Sequence, residues 1–239
     1  MPSSAREPLL GLLAERSFRL GEFKLSSGGS SDYYIDCRAT TLHAEGARLT
    51  GRVVLDLINE KKWKPQAIGG LTLGADPIVV AVAMLSAQSV ITRAPARTKP
   101  VDVSEFLIHA FIVRKQEKEH GTGQRIEGFR EKGARVVIVD DVCTTGGSTI
   151  QAIEAAREFG FHIAGVACLV ERLEAKGRGA VEQAAAPAKF ISIFTSDDVK
   201  AAHIKLKQSP QTFAYSGTCE VCGQPAVTNE PRLRCEVHR

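Results

Sequence analysis

Asp140 and Asp141 stand side by side after an apolar run, and beyond Val142 and Cys143 come six small residues: Thr144, Thr145, Gly146, Gly147, Ser148 and Thr149. The acids and the turn suit opposite partners. A Thr/Gly/Ser turn at the start of a helix offers backbone N–H groups, glycines that admit close approach, and the positive end of a helix dipole. That combination binds a phosphate. Two carboxylates repel phosphate, so they serve ribose hydroxyls or a Mg²⁺ ion, both of which suit hard oxygen partners. Other phosphate motifs fail on spacing. A Walker A loop needs a Lys after its second Gly, and none follows Gly146 or Gly147. A dinucleotide fingerprint needs a third Gly where Ile126 follows Gly121 and Gly123. The bland alternative is an ordinary strand-to-helix turn with a polar lip.

The elements that must hold these groups are legible around them. Val136, Val137, Ile138 and Val139 are four β-branched residues in a row, the pattern of a strand buried on both faces of a parallel sheet. Ile150, Ile153, Ala156 and Phe159 recur at helical spacing. Upstream, Leu9 to Phe18 reads as a short amphipathic helix. Phe23 and Leu25 then pair with Tyr33 to Cys37 in a hairpin. Tyr33 and Tyr34 are candidate aromatic walls for a base pocket, and a plain hairpin is the alternative. His43 to Lys62 reads as a helix and Pro65 to Gly70 as a strand. The turn Leu71-Thr72-Leu73-Gly74 follows at a strand's carboxyl end, where open α/β sheets bind ligands. Ala75 to Leu85 is nearly all apolar, so this helix is expected to pack deep. Further strands are expected near Phe106 to Val113, at His162 to Val170 and at Lys189 to Phe194. Helices are expected at Lys176 to Ala186 and Asp197 to Lys207. His162 and Cys168 are expected to be packed inside, and His203 to lie on the surface. The fold class is therefore α/β, a central parallel sheet flanked by helices.

Between the fourth strand and the acid pair runs RKQEKEHGTGQRIEGF, with Arg114, Lys115, Lys118 and Arg125, the titratable His120, and Gly121 and Gly123. It has no helical period. A solvated surface loop is the ordinary reading of such a charge run. Beside a phosphate turn it also suits a lid that carries positive charge to a leaving pyrophosphate. The chain has 239 residues, 44% of them hydrophobic, and a net charge of +4, which suits one large domain, or one domain with a small appendage, and gives no strong sign of a nucleic-acid binder. No apolar run reaches membrane-span length and no signal-peptide pattern opens the chain. The expected location is cytoplasmic, with the six cysteines as thiols or metal ligands.

The stretch VVIVDDVCTTGGST resembles the ribose-phosphate-binding motif of the type I phosphoribosyltransferases. Two further pieces narrow the likeness: FKLSSGGSSDYYID is similar to the N-terminal hairpin of the orotate phosphoribosyltransferases, and ERLEAKGRG to their base-side segment. RKQEKEHGTG lies where their mobile catalytic loop does. The likeness runs from about Leu9 to about Lys205. It implies transfer of the 5-phosphoribosyl group from phosphoribosyl pyrophosphate to orotate, in pyrimidine biosynthesis, with Mg²⁺ as cofactor and a homodimer in which each lid reaches the neighbouring site. Arg114, Lys115, Lys118 and His120 would contact pyrophosphate, with Lys118 most tied to catalysis. Asp140 and Asp141 would hold the ribose, and Val142, Cys143, Thr144, Thr145, Gly146, Gly147 and Ser148 the 5′-phosphate. Thr144 and Arg172 would contact orotate, Arg172 at its carboxylate, since a guanidinium fork suits a planar carboxylate. The alternative for Arg172 is a salt bridge to Glu171 or Glu174. The sequence departs from the pattern twice. Ser26 stands where many relatives carry Lys, with Lys24 two residues earlier, and Leu73-Gly74 replace a Tyr-Lys pair. Two other functions compete: a purine-type phosphoribosyltransferase, and a non-catalytic regulator that binds nucleotide or RNA. Arg172 and the hairpin weigh against the first, the modest charge and the lid residues against the second.

The composition changes near the end. Cys219-x-x-Cys222, twelve residues, then Cys235-x-x-His238 gives two chelating pairs suited to tetrahedral Zn²⁺. A disordered tail with incidental cysteines is the alternative. The organisation read from the sequence is a catalytic domain over 1–208, with a helix-and-hairpin hood over 1–42, and a small zinc-knuckle-like tail over 209–239.

Overall fold

The computed structural model describes residues 4–24, 30–93, 107–115 and 125–208. Contacts divide the chain into Met1–His203 and Ile204–Arg239; the first unit carries the sheet, the hood and the cavity described below. Lys118 and His120, expected in a lid, together with Ser26 and the expected zinc ligands Cys219, Cys222, Cys235 and His238, lie outside the described residues.

The centre is a six-stranded sheet in the order β5-β4-β3-β6-β7-β8. Its strands are β3 (Ala67–Leu71), β4 (His109–Val113), β5 (Ile126–Gly128), β6 (Arg135–Cys143), β7 (His162–Glu171) and β8 (Phe190–Thr195). All neighbours are parallel except β4 and β5. The antiparallel edge strand β5 is a departure from the all-parallel expectation. It has three residues, too few to show a period, inside a run dominated by charge. The β-branched residues Val136 to Val139 of β6 are fully buried in mid-sheet, as a strand covered on both faces requires.

Helices α3 (Ala44–Glu60), α4 (Asp76–Arg93), α5 (Gly147–Phe159) and α6 (Arg178–Ala185) cover the sheet. On α3, Leu49, Val53, Val54 and Ile58 face inward. Arg157 of α5 reaches the end of α6, where its guanidinium donates to the carbonyls of Ala184, Ala185 and Ala186. Those carbonyls have no partner within their own helix. Helix α4 corrects an expectation: Val80 and Met84, one turn apart, are exposed, so this nearly all-apolar helix is not wholly packed against its own chain.

The N-terminal hood also differs in detail. Helix α1 (Arg6–Leu12) passes through a π-helical turn, Leu13–Ser17, into strand β1 (Phe18–Lys24), which pairs antiparallel with β2 (Ser30–Ile35). Phe18 therefore opens a strand rather than closing a helix. It is buried against Tyr33 and His203. His203, on helix α7 (Ser196–Gln208), was expected at the surface. It is half-buried there, its Nδ1 within 2.6 Å of the Ala14 carbonyl oxygen. His162 is the reverse case: as the first residue of β7, paired with Arg135 at the end of the ladder, it is exposed. Cys168 is buried as expected.

Candidate active site

A cavity of about 570 Å³ opens at the carboxyl end of the sheet, where β3, β6 and β7 deliver their loops. The two acids reach it from β6. Asp140 is buried, and its Oδ2 accepts a hydrogen bond of 2.8 Å from the Thr149 hydroxyl on α5. Its Oδ1 accepts from the Asp141 amide at 3.0 Å. Asp141 is half-buried and accepts from the Val142 amide at 2.9 Å. Burial, reinforced by the neighbouring Asp141 charge, pushes the Asp140 carboxyl up to about 7. Burial also raises Asp141, opposed by the Val142 amide and by the positive charge of Arg38.

The turn after the acids is open to an anion. Among the described residues, none accepts a hydrogen bond from the amides of Thr144, Thr145 or Gly146. Gly146 caps α5 with φ of +82°, in the left-handed region that favours glycine. Gly177, at the start of α6, lies hard against the back of this turn. A β-carbon there would come within 2.6 Å of the Thr145 carbonyl carbon and 2.9 Å of the Gly146 nitrogen. The sequence reading passed over Gly177, although it lies within the segment ERLEAKGRG.

The rest of the lining comes from the hood and from the turn after β3. Tyr34 and Lys24 line the cavity from the hairpin, Leu73 and Gly74 from the turn, and Arg38 and Asp36 from the start of helix α2 (Arg38–Thr41). Arg38 grips Asp36 through two hydrogen bonds of 2.9 Å, and this lowers the Asp36 carboxyl. Four cations, Lys24, Arg38, Lys115 and Arg172, thus face three acids, Asp36, Asp140 and Asp141. With Asp140 resisting ionisation, the wall favours a polyanion.

The expected site residues divide accordingly. Lys115, Asp140, Asp141, Val142, Thr144, Ser148 and Arg172 meet on the cavity wall. Cys143 points into the core, and its neighbours Thr145, Gly146 and Gly147 form the turn without lining the cavity. Arg114 lies beside Glu127 of β5, at 3.4 Å, rather than on the wall. Of the two tyrosines only Tyr34 is a wall. Tyr33 is buried, with the Arg172 guanidinium 4.7 Å from its ring centre. Arg172 pairs with Glu174 at 2.9 Å while lining the cavity, so the ion pair weighed against a ligand role is present together with access to the site. Glu171 instead pairs with Arg178. Thr149, Arg38 and Asp36 were not anticipated. A hydroxyl in the first turn of the helix after an acid pair was the available signal for Thr149. Nothing local marked the other two.

Comparison with known proteins agrees with this arrangement. A family model for the phosphoribosyl transferase domain matches residues 55–206. The chain is 41% identical over 197 residues to the orotate phosphoribosyltransferase of Streptomyces coelicolor, covering 82% of this chain and 98% of that one. The crystal structure of Mycobacterium tuberculosis orotate phosphoribosyltransferase in complex with Fe(III) dicitrate superposes with a TM-score of 0.64 at 34% identity, covering 82% of this chain and 98% of that chain. The same enzyme in complex with 5-phospho-alpha-D-ribosyl 1-diphosphate gives 0.59 at 28% identity, covering 83% and 93%. The sheet, the acid pair and the matched domain define the class: the chain belongs to the phosphoribosyltransferase family. Within that family its place is with the orotate phosphoribosyltransferases.

Proposed function

We infer that this cavity transfers the 5-phosphoribosyl group of phosphoribosyl pyrophosphate to orotate, giving orotidine 5′-phosphate and pyrophosphate, a pentosyltransferase step of pyrimidine biosynthesis. The single observation that carries the assignment of roles is that Asp140, Asp141, an open-amide turn and Arg172 share the wall of one cavity. Asp140 and Asp141 accept the ribose hydroxyls. The turn from Val142 to Ser148 takes the 5′-phosphate. Arg172 takes the orotate carboxylate, with Thr144 beside it. Orotate N1 attacks C1 of the ribose as the bond to pyrophosphate breaks. The sugar becomes positive and the leaving group negative, so the useful protein groups are acids near the ribose and cations near the pyrophosphate. Lys115 lines the wall for the latter role. Arg114, Lys118 and His120 would join it as the lid closes and water leaves.

Mg²⁺ fits this donor set. Among the described residues no three ligating side chains converge. An ion held by diphosphate oxygens and water with one or two carboxylates, here Asp140 and Asp141, needs no protein cage. When bound it supplies charge neutralisation on the leaving group. A homodimer belongs to the same proposal, supported by the exposed apolar positions Val80 and Met84 of α4. A cytoplasmic location is supported by Cys37, Cys143 and Cys168, which are buried thiols. No helix among the described residues is long and apolar enough to cross a membrane. We further propose that residues 1–208 form the catalytic unit and that Cys219, Cys222, Cys235 and His238 hold a structural Zn²⁺. Elemental analysis of the reduced full-length protein is expected to find one equivalent, and none would discard the site.

The testing experiment incubates the protein with Mg²⁺, phosphoribosyl pyrophosphate and each of orotate, adenine, guanine and hypoxanthine, and follows pyrophosphate. Turnover with orotate alone is expected. Turnover with a purine instead would overturn the substrate.

A further inference from the structure

Arg172 is held from several sides before any ligand arrives. Its single Nε–H is shared between Glu174 Oε1 at 2.9 Å and the Tyr33 hydroxyl at 3.1 Å. Its Nη2 donates to the Ser31 hydroxyl at 3.1 Å and lies 2.9 Å from the same Glu174 oxygen. Its planar group covers the Tyr33 ring, which is itself stacked on Phe18 at 5.3 Å. Tyr33 donates its own hydroxyl to Glu174. The Nη1 group has no partner among the described residues, and the side chain, only 11% exposed, lines the cavity.

We propose that Glu174 is a positioning residue for base recognition: its carboxylate, braced by Tyr33, fixes the Arg172 guanidinium so that its remaining N–H groups meet a substrate carboxylate. The inference rests on the assignment of Arg172 to the orotate carboxylate. An arginine side chain has many rotamers, and holding it in one conformation before binding removes an ordering cost that the ligand would otherwise meet. Glu174 is well placed for this. It follows Arg172 by two residues, through the short 3₁₀ turn Leu173–Ala175, so the anchor travels with the residue it orients. Its second oxygen lies 3.5 Å from the buried Ser196 hydroxyl at the start of α7, which limits its own movement. A surface ion pair held by two mobile side chains contributes little. Although the Glu174 side chain is half-exposed, this pair is confined by the buried Tyr33 ring, the hydroxyls of Ser31, Tyr33 and Ser196, and a turn.

The experiment compares Glu174→Ala and Glu174→Gln with the wild-type chain, measuring KM for orotate and for phosphoribosyl pyrophosphate separately, with kcat. Glu174→Ala is expected to raise the orotate KM about tenfold while the other KM and kcat stay within about twofold. Gln keeps an oxygen that can accept from Nε–H and from Tyr33, so Glu174→Gln is expected to restore the orotate KM to within about threefold of wild type. Preference for orotate over uracil, which lacks the carboxylate, should fall in Glu174→Ala and recover in Glu174→Gln. An orotate KM that is unchanged or lower in Glu174→Ala would make Glu174 a competitor for Arg172 and overturn the proposal. Equal rises in both KM values, or no rescue by Gln, would overturn it too. Absence of orotate turnover by the wild-type chain would sink the substrate assignment and this inference together, whereas the other adverse results sink the inference alone.

Discussion

Gly74 lies so close to Asp141 that a β-carbon at position 74 would come within 2.8 Å of the Asp141 carboxyl carbon. The turn after β3 is thereby pressed onto the acid pair at the end of β6, its neighbour in the sheet. Any side chain there would have to displace either the turn or the Asp141 carboxylate. Gly74→Ala is expected to lower kcat/KM for phosphoribosyl pyrophosphate at least about tenfold, because a misplacement of about 1 Å near the chemistry has effects of that size or larger. Steady-state kinetics with either substrate varied would show it. A variant with wild-type kinetics would mean that Asp141 does not need its present position.

Asp140 gives a pH dependence whose sign follows from its environment. Its carboxyl is pushed up to about 7, far above its ordinary 3.8, chiefly by burial. Over the window from about 4 to about 7 the folded protein holds a proton that the unfolded chain releases. This group's contribution to stability is therefore fully present below about 4 and is lost as pH rises through about 7. Asp140→Asn removes the ionisation and is expected to raise stability above pH 7 by about 2 kcal/mol or more, since a buried charge is then no longer formed. The same variant is expected to lose turnover. Thermal melts at pH 5 and pH 8 check the first part: the gap between variant and wild type should widen at pH 8.

The main architecture was legible because β-branched runs and helical periods mark buried elements directly. Val136 to Val139 announced the central strand, and the residues after it announced the turn into α5. Features that depend on tertiary contact left little local trace. Tyr33 and Tyr34 are adjacent and chemically alike, yet the pleat sends one beneath Arg172 and leaves the other on the cavity wall. Val80 and Met84 are as apolar as their buried neighbours, and composition could not reveal which face of α4 the rest of the chain would leave bare. Arg38 and Asp36 reach the cavity from a distant part of the sequence, with no motif to join them to Asp141.

Gly177 offers a test of the phosphate turn that touches no substrate contact. Its missing side chain lets α6 begin directly behind Thr144 and Thr145, with the Gly177 carbonyl accepting from the Val181 amide. A methyl group at this position must displace the turn to which we assign the 5′-phosphate. Gly177→Ala is expected to raise KM for phosphoribosyl pyrophosphate roughly tenfold or more, with orotate binding affected less. Inorganic phosphate offers an independent readout as a competitive inhibitor, and its inhibition constant should rise in parallel. An unchanged inhibition constant would place the 5′-phosphate elsewhere.

Helix α4 leads to the last prediction. Val80 and Met84 are 58% and 60% exposed, and Leu73, in the turn that leads into the same helix, is 63% exposed. Large apolar side chains scattered singly on a surface need no explanation, but two on one face of a helix, one turn apart, form a patch that a second subunit can cover. Charge placed in such a patch must be buried unpaired if the interface is to form, which is costly. Val80→Glu combined with Met84→Glu is expected to shift the protein from dimer to monomer in sedimentation equilibrium, with the thermal midpoint of the isolated subunit little changed, since both positions face outward. If the lid serves the neighbouring site, the monomer should also lose turnover while still binding phosphoribosyl pyrophosphate weakly. A double variant that remains dimeric would move the interface to another face, and a fully active monomer would confine each lid to its own subunit.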